Sequence, residues 1–314
     1  MKLTINLFLL GFVLLLCSCN LTRQYVNKSE KRYDGWGRTS WASEQDSSII
    51  YWRKIGDGSQ NILLIHGFGP VPQIQWENLV KELYQKYTLY VPDLIYFGKS
   101  ESAYDNYDPR FLARQILQSF QEFEKDSFYL AGVSYGGFIS SLIASTNEEK
   151  VEGLILIDAL SRHTEKEYAD SLANAHGFGN MSQILVPENG KALKTLFKLT
   201  FFKPPWYPSF ALNNPTRQLY GDQKEQKIGL MSYLYQHESS IKNWEFGYKG
   251  PVVIIWGKED KLIPLQNAYL LQHQYTGAQV KIIDQAAHAV NMEKAGEVAK
   301  IINGLIEDKR KRPH

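Results

Sequence analysis

The chain has 314 residues, a length that suits one large α/β domain or two small ones. Its composition, 44% hydrophobic and 13% aromatic, supports a substantial core and excludes disorder along the whole chain. The formal net charge of +2 gives no indication of nucleic-acid binding, and we expect the basic tail, residues 309–314, to be a solvated end.

The first residues have the pattern of an export signal. A positively charged start is followed by an apolar run over residues 7–16, which is too short to cross a bilayer of about 30 Å as a helix. The run ends in LCSC (16–19), which resembles the bacterial lipoprotein signal. This resemblance implies that Cys19 is the lipidated first residue of the mature chain. A simply cleaved signal peptide and a retained signal anchor are the alternatives.

Both cysteines of the chain, Cys17 and Cys19, belong to this signal segment, residues 1–19. The body can therefore hold no disulfide, thiolate zinc site or cysteine nucleophile. Residues 20–44 form an N-terminal extension whose polar first part, 20–35, is interpreted as a tether. We predict an exported protein, anchored to a membrane by lipid on the extracytoplasmic side.

From about residue 48, short apolar runs alternate with longer helical patterns. The predicted strands are 49–52, 61–65, 87–91, 128–131, 154–157, 252–256 and 280–283. The predicted helices are about 75–86, 109–124, 136–146, 265–274 and 291–306. Most of the strand candidates are apolar on both faces, which is typical of buried parallel strands. The alternation predicts an α/β fold, a doubly wound, mostly parallel sheet with helices on both faces.

One long stretch interrupts this alternation, since no clear strand lies between residues 158 and 251. It predicts an inserted helical cap over 159–248, with the core formed by 45–158 and 249–308. Six aromatic residues from Phe197 to Phe210 are interrupted by three prolines, which prevent a regular helix there. We expect Phe202 and Trp206 to line an apolar substrate pocket. The alternative is that these rings only pack the cap against the sheet.

The sequence GVSYG (132–136) follows a predicted strand and precedes a predicted helix. Glycines on both sides of Ser134 permit a sharp strand-to-helix turn that lifts the hydroxyl out of the sheet. Ser134 is therefore the predicted nucleophile, with a merely structural tight turn as the alternative.

A second glycine-containing turn, HGFG (66–69), ends the strand candidate 61–65. We predict that the backbone N–H of Phe68 and that of Tyr135, at a helix N-terminus, stabilise an oxyanion. His66 is a second candidate for the catalytic base, but we expect it to have a structural role in holding this loop.

An acid and a base follow two later strands. Asp260 comes just after the strand candidate 252–256, and His288 follows the candidate 280–283. Parallel strands end at the same sheet edge, so Ser134, Asp260 and His288 are predicted to meet there as nucleophile, orienting acid and general base. Glu259 and Asp158 are the competing acids.

Five stretches in this order resemble the α/β-hydrolase family, most closely its capped lipase and esterase branch, which includes monoacylglycerol-lipase-like members. They are LIHGFG (64–69), VPDLIYFGKS (91–100), LAGVSYGGF (130–138), IWGKEDKLIP (255–264) and AAHAVNMEK (286–294). The resemblance implies an eight-stranded sheet, and a supporting role for Asp93 near the site. The serine at position 134 argues against haloalkane or epoxide hydrolysis, which relatives with an aspartate nucleophile perform.

The expected activity is hydrolysis of carboxylic esters, plausibly with lipid-like acyl groups, through an acyl-enzyme on Ser134. Carbon–carbon bond hydrolysis of dienones and a non-catalytic ligand-binding role are the alternatives. We expect no cofactor and no metal, because the remaining histidines lack the spacing of metal ligands. The oligomeric state is left open.

Overall fold

The computed structural model describes residues 22–45, 47–69 and 71–310. The strands are β1 (Thr39–Gln45), β2 (Ser48–Ile55), β3 (Asn61–Ile65), β4 (Thr88–Pro92), β5 (Glu101–Ser102), β6 (Phe128–Val133), β7 (Val151–Ile157), β8 (Val252–Gly257) and β9 (Gln279–Ile283). The helices are α1 (22–35), α2 (Pro72–Leu83), α3 (Pro109–Phe123), α4 (Tyr135–Thr146), α5 (Lys166–Ala175), α6 (Ser182–Leu185), α7 (Gly190–Thr200), α8 (Ser209–Tyr220), α9 (Lys224–Gln236), α10 (Glu238–Ile241), α11 (Gln266–Gln274), α12 (Val290–Glu293) and α13 (Ala295–Arg310).

The sheet has the order β1-β2-β4-β3-β6-β7-β8-β9, and the two-residue strand β5 pairs with β2. The pairs from β4 through β9 are parallel, whereas β1 and β2 are antiparallel to their neighbours. This confirms the predicted doubly wound, mostly parallel sheet. The parallel strands all end at one edge, so the loops after β3, β6, β7, β8 and β9 come together there.

Two hydrophobic cores cover the faces of the sheet. The first core lies between one face of the sheet and the helices α3, α4 and α11, together with the helices between β7 and β8. The other packs α2 and α13 against the opposite face, together with Tyr33 of α1. Strands β6 and β8 are buried along their whole length, because both of their faces contact helices. This explains why their sequences are apolar runs and not alternating patterns.

The tether prediction is wrong for residues 22–35, which form α1. Tyr33 is fully buried, and its hydroxyl donates to the backbone oxygen of Gln73 at 2.7 Å. Arg32 forms an ion pair of 2.7 Å with Glu77 of α2. The polar composition of this segment concealed one face that packs on α2, because only a few of its residues are needed to make that contact.

Six helices, α5 to α10, lie between β7 and β8, and we use the term cap for residues 159–248. Residues 201–208, between α7 and α8, are not helical, as the prolines predicted. In the part of the chain that the structure describes, no helix is both long and apolar enough to cross a membrane. The predicted signal segment with Cys19 lies outside the described residues.

Candidate active site

Ser134 lies at the turn between β6 and α4 with a backbone φ of 55° and ψ of −124°. A positive φ is rare for a residue with a side chain and costs about 1–3 kcal/mol, so the surrounding structure must hold this conformation. The Ser134 N–H donates to the oxygen of Ile157 at 2.9 Å. A Cβ on Gly136 would lie 2.1 Å from the oxygen of Ile65, so only glycine lets α4 approach β3. The turn thus presents Ser134 at the carboxyl edge of the sheet.

The loop after β3 lies directly beside this serine, since a Cβ on Gly67 would come within 2.8 Å of the Ser134 Cβ. The Phe68 and Tyr135 rings pack edge to face with centroids 5.2 Å apart. Among the described residues, neither of their backbone N–H groups has a hydrogen-bond acceptor. Two unpaired donors on the loops beside the serine are the kind of group that binding of a developing oxyanion requires.

Sequence reasoning missed Gln75, which holds this loop. Its side-chain oxygen accepts from the Gly67 N–H at 3.1 Å, and its amide donates to the Gly67 oxygen at 3.2 Å. The backbone oxygen of Gln75 in turn accepts from the Asn291 side chain at 2.7 Å. The loop that carries Phe68 is therefore hydrogen-bonded through α2 to α12, which follows His288. A glutamine in the first turn of a helix gives no local signal of such a role.

Asp260 and His288 are brought together by the loops after β8 and β9. The Nδ1 of His288 lies 2.8 Å from Oδ2 of Asp260, and both side chains are buried. The other oxygen of Asp260 accepts from the Leu262 and Ile263 N–H groups at 2.8 and 3.0 Å, which fixes the carboxylate. A donor at Nδ1 leaves Nε2 as the free basic nitrogen of the ring.

The competing acid Glu259 points elsewhere. Its carboxylate accepts from the Ala286 N–H at 3.1 Å, and its own N–H donates to the Ala286 oxygen at 3.0 Å. Glu259 therefore joins the two loops that carry Asp260 and His288.

No hydrogen bond joins the Ser134 hydroxyl to His288 within the described residues, and such bonds often tighten only when substrate binds.

Asp158, the other competing acid, lies beneath this pair at the end of β7. It is fully buried, and one carboxyl oxygen accepts from the Gly257 N–H at 2.8 Å. Its other oxygen has no partner among the described residues. Burial raises the pKa of Asp158 well above its ordinary range, and the nearby charge of Asp260 raises it further. Both effects favour the protonated, neutral form of Asp158, which joins β7 to β8 beside the acid–base pair.

Replacing Asp158 with asparagine should flatten the pH dependence of stability. Above the ordinary carboxyl pKa, the unfolded chain releases this proton while the folded chain keeps it. The group therefore lowers the free energy of unfolding by about 1.4 kcal/mol per pH unit until the folded state also ionises. Asparagine does not titrate, so the free energy of unfolding of Asp158→Asn, relative to that of the wild type, should be larger at pH 8 than at pH 5. Urea unfolding at the two pH values measures this difference. Parallel pH profiles for the two proteins would contradict the neutral state of Asp158.

His66 and Asp93 occupy structural positions, as predicted. His66 is fully buried; its Nε2 accepts from the Leu94 N–H at 2.9 Å, and Nδ1 donates to the Gly67 oxygen at 2.8 Å. Burial lowers the pKa of His66 to about 4, so it stays neutral. Asp93 is fully buried in an ion pair of 2.5 Å with Arg53. Both side chains brace the loops around Ser134 without facing it as a base.

The cap is attached to the His288 loop through Glu293. The Glu293 carboxylate accepts from the N–H groups of Phe202 at 3.0 Å and of Ala287 at 3.0 Å. The Ala289 N–H also donates to the oxygen of Thr200 at 2.8 Å. These bonds place Phe202, which is half-buried, next to the loop of the histidine.

The pocket prediction for Trp206 is wrong in this structure. Its side chain is 80% exposed, and its ring lies 6.0 Å from the Lys194 Nζ. The prolines at 204, 205 and 208 keep the backbone extended and turn the ring toward solvent. The sequence pattern identified the aromatic residues of this segment but not which of their rings are exposed.

Comparison with known proteins agrees with this architecture. Residues 60–295 match the model of a family described as the alpha/beta hydrolase fold, which covers well over half of the chain. The chain therefore belongs to the α/β-hydrolase family, and it is a hydrolase.

Among curated proteins, the chain is similar to monoacylglycerol lipase ABHD6 of Homo sapiens, with 26% identity over 289 residues, 85% of this chain and 83% of the relative. It is also similar to the pimeloyl-[acyl-carrier protein] methyl ester esterase of Yersinia pestis, with 24% identity over 267 residues, 83% of this chain and 99% of the relative.

Two solved structures share the fold. A membrane phospholipase A, described as a bacterial virulence factor, has a TM-score of 0.76 at 21% identity and covers 98% of this chain and 100% of its own. The 2-hydroxy-6-oxo-6-phenylhexa-2,4-dienoate hydrolase from Rhodococcus sp. strain RHA1 has a TM-score of 0.70 at 16% identity, covering 86% of this chain and 100% of its own. At these identities the likeness concerns the fold alone.

Proposed function

We propose that this protein is a serine esterase that hydrolyses carboxylic esters with lipid-like acyl groups, with Ser134, His288 and Asp260 as its catalytic residues. The observation that carries the proposal is the buried 2.8 Å contact between His288 and Asp260 at the sheet edge where Ser134 occupies a strained turn. A buried histidine–aspartate pair at the same sheet edge as a half-buried serine is the arrangement expected to activate that serine. The names of the curated relatives, a monoacylglycerol lipase and a methyl ester esterase, support the same class of substrate.

In the first half of the proposed reaction, the Ser134 Oγ attacks the ester carbonyl carbon and its proton passes to Nε2 of His288. Asp260 holds the ring by its Nδ1–H and stabilises the imidazolium that forms. The carbonyl oxygen becomes an oxyanion that accepts from the Phe68 and Tyr135 N–H groups, each worth about 3 kcal/mol in comparable sites. The C–O bond then breaks, and the alcohol leaves with the proton from His288.

In the second half, water attacks the acyl-enzyme while His288 takes its proton. The second oxyanion uses the same two N–H groups, and its collapse releases the carboxylic acid and returns the proton to Ser134. None of these steps requires a cofactor, because the chain supplies the nucleophile, the base and the oxyanion donors.

A fluorophosphonate probe and a substrate panel test this proposal. The probe should attach to Ser134, as peptide mass spectrometry would show, and acyl esters should be hydrolysed in preference to dienones. Faster cleavage of dienones would establish carbon–carbon bond hydrolysis, the reaction that the name of the Rhodococcus structure describes for that protein. A wild-type chain that neither reacts with the probe nor hydrolyses any panel member would be a ligand-binding protein.

Acyl chains of medium length should be preferred over acetate. Phe202 lies beside the His288 loop, and each buried methylene adds about 0.8 kcal/mol to binding. We expect kcat/KM for octanoyl esters to exceed that for acetyl esters by at least about tenfold. Phe202→Ala should reduce this ratio, whereas Phe201→Ala should not, because the Phe201 ring packs on Phe197. If the wild-type enzyme has equal kcat/KM for octanoyl and acetyl esters, the proposed preference for lipid-like acyl groups is wrong.

The mature chain should begin at a lipidated Cys19, as the LCSC sequence predicts. Mass spectrometry of the native N-terminus should give the mass of a diacylglycerol-modified cysteine, and Cys19→Ala should accumulate as precursor. Cys17→Ala provides the matched control, which should still be processed. An unmodified N-terminus beyond residue 19 would identify an ordinary signal peptide.

A further inference from the structure

Part of the cap surface combines exposed aromatic rings with lysines. We define this aromatic–basic surface as Tyr25, Lys194, Lys203, Trp206, Tyr207 and Phe210. Trp206 is 80% exposed and Phe210 is 65% exposed. Exposed rings of this size that cluster together mark an interaction site more often than single exposed apolar residues do.

Lys194 and Trp206 of this surface are close in space, and Lys203, Tyr207 and Phe210 lie within four residues of Trp206 along the chain. The Lys194 Nζ lies 6.0 Å from the Trp206 ring centroid. Partial burial and the nearby charge of Glu77 raise the pKa of Tyr25, Arg32 lowers it, and Tyr207 is close enough to add a small further increase. The surface therefore extends from the loop between α7 and α8 to the start of α1.

The backbone holds these rings outward. Residues 204, 205 and 208 are prolines, which restrict the chain between Lys203 and Ser209. The Glu293 carboxylate accepts from the backbone N–H of Lys203 and of Phe202, which fixes the start of the segment. A surface that is already ordered loses little conformational entropy when it binds a partner.

The charge of this region indicates an anionic partner. Residues 189–221 include four lysines and one arginine but no aspartate or glutamate, although the whole chain has a net charge of only +2. Tryptophan and tyrosine are enriched where proteins meet the headgroup region of a bilayer, and lysines near an anionic bilayer surface add attraction. Together these properties favour a lipid surface over a protein partner.

Two structural features orient this surface. The described part of helix α1, which contributes Tyr25, starts at residue 22, three positions along the sequence from Cys19, the proposed site of lipid attachment. The Glu293 carboxylate, which holds Phe202 and Lys203, also accepts from the Ala287 N–H beside His288. The segment that carries Lys203 is therefore hydrogen-bonded through Glu293 to the loop of His288.

We propose that the aromatic–basic surface docks on a bilayer that contains anionic lipid, with Trp206 and Phe210 in the headgroup region. Docking would bring the segment that carries Phe202 against the lipid, from which an acyl ester can enter. The docking itself is independent of the proposed function, whereas its consequence for turnover rests on that function.

Tryptophan fluorescence provides the test. All seven tryptophans lie in the described part of the chain, and Trp206 is the only one whose side chain is mostly exposed. The full chain is bound to vesicles of phosphatidylcholine and phosphatidylglycerol whose acyl chains carry bromine, a contact quencher. Wild type and Trp206→Phe share the same N-terminus, so quenching that a lipid anchor produces at the other tryptophans is equal in the two proteins.

We expect bromolipid to quench wild-type emission and Trp206→Phe to lose most of that quenching. Trp244→Phe, the matched control for a half-buried cap tryptophan, should keep it. Unquenched wild-type emission, or equal quenching of wild type and Trp206→Phe, would overturn the proposal. Burial of Trp206 that depends on protein concentration without vesicles would identify a second copy of the chain as the occupant and would also overturn it.

Lysine substitutions test the charge requirement. Lys194→Gln/Lys203→Gln should weaken the Trp206 quenching by phosphatidylglycerol vesicles, raising the lipid concentration for half-maximal quenching by about tenfold or more. Lys281→Gln/Lys300→Gln, on β9 and α13, is the charge-matched control and should have no such effect. An unchanged response of the first variant would exclude recognition of anionic lipid by this surface.

The consequence for turnover is measured separately. Trp206→Ser/Phe210→Ser should slow hydrolysis of a long-chain ester in vesicles, while hydrolysis of a water-soluble butyrate ester stays near the wild-type rate. Equal turnover of the vesicle ester by this variant and by wild type would reject the role of docking in catalysis. If the wild type hydrolyses neither ester, the proposed function fails, and the quenching result still decides the docking.

Discussion

Ser134→Ala should lower kcat for ester hydrolysis by at least about a thousandfold. The substitution removes the only atom that can form the acyl-enzyme in the proposed mechanism, while the oxyanion donors remain. Initial rates with an octanoyl ester would measure the effect. His288→Ala should produce a comparable loss, and Asp260→Asn a smaller one, because asparagine still contacts the ring but supplies no charge.

The fold should survive this change. Ser134 lies on a turn, and its hydroxyl makes no hydrogen bond within the described residues. Ser145→Ala on the same helix α4 is the matched control, and its turnover should stay near that of the wild type. Ser134→Gly should be more stable than Ser134→Ala by about 1 kcal/mol or more, because glycine tolerates the positive φ. Near-normal hydrolysis by a correctly folded Ser134→Ala protein would refute the proposed nucleophile.

Arg53→Met should lower the free energy of unfolding by about 3–5 kcal/mol. The Arg53 and Asp93 side chains are 1% and 0% exposed and form an ion pair of 2.5 Å. Without the guanidinium, the buried Asp93 carboxylate keeps, among the described residues, only the backbone N–H of Lys99 as a hydrogen-bond donor, at 2.9 Å. An unpaired buried charge is far more costly than a lost surface contact, and urea unfolding at neutral pH would measure the difference.

The double variant Arg53→Met/Asp93→Asn separates charge from packing. Removing the carboxylate charge as well should recover part of the lost stability, because no uncompensated charge then remains. Lys258→Met breaks the exposed pair with Asp284 and serves as the surface control, which should leave the unfolding midpoint unchanged. If the double variant is as unstable as Arg53→Met, the loss reflects packing and not charge.

Motifs that depend on a short stretch of chain were predictable. The strand runs at 61–65 and 252–256 are apolar because both faces of the sheet are covered, and the structure confirms β3 and β8 there. The helix predicted at about 109–124 is α3, where Asp108 accepts from the Arg110 N–H at 2.9 Å and Pro109 is the first helical residue. In each of these cases the signal and the structure it determines lie within a few residues.

Elements that derive their stability from distant partners were harder to predict. Residues 22–35 were interpreted as a tether because only one face of α1 packs on α2. The edge strand β1 was not predicted, since most of its residues are exposed and it has no apolar run. Gln75 and Glu293 organise the loops of the site through side-chain bonds to backbone groups far along the chain, and neither belongs to a local pattern.

The sequence by itself determined the fold class, the chain order of Ser134, Asp260 and His288, and the turn that carries the serine. These follow from apolar runs and from glycines whose effect is local. Only the tertiary structure decided that Asp260, and not Glu259, contacts His288, that Asp158 is a buried carboxyl with a raised pKa, and that Trp206 faces solvent. The physical reason is that side-chain direction and burial depend on which loops meet at the sheet edge, and that meeting is set by long-range strand pairing.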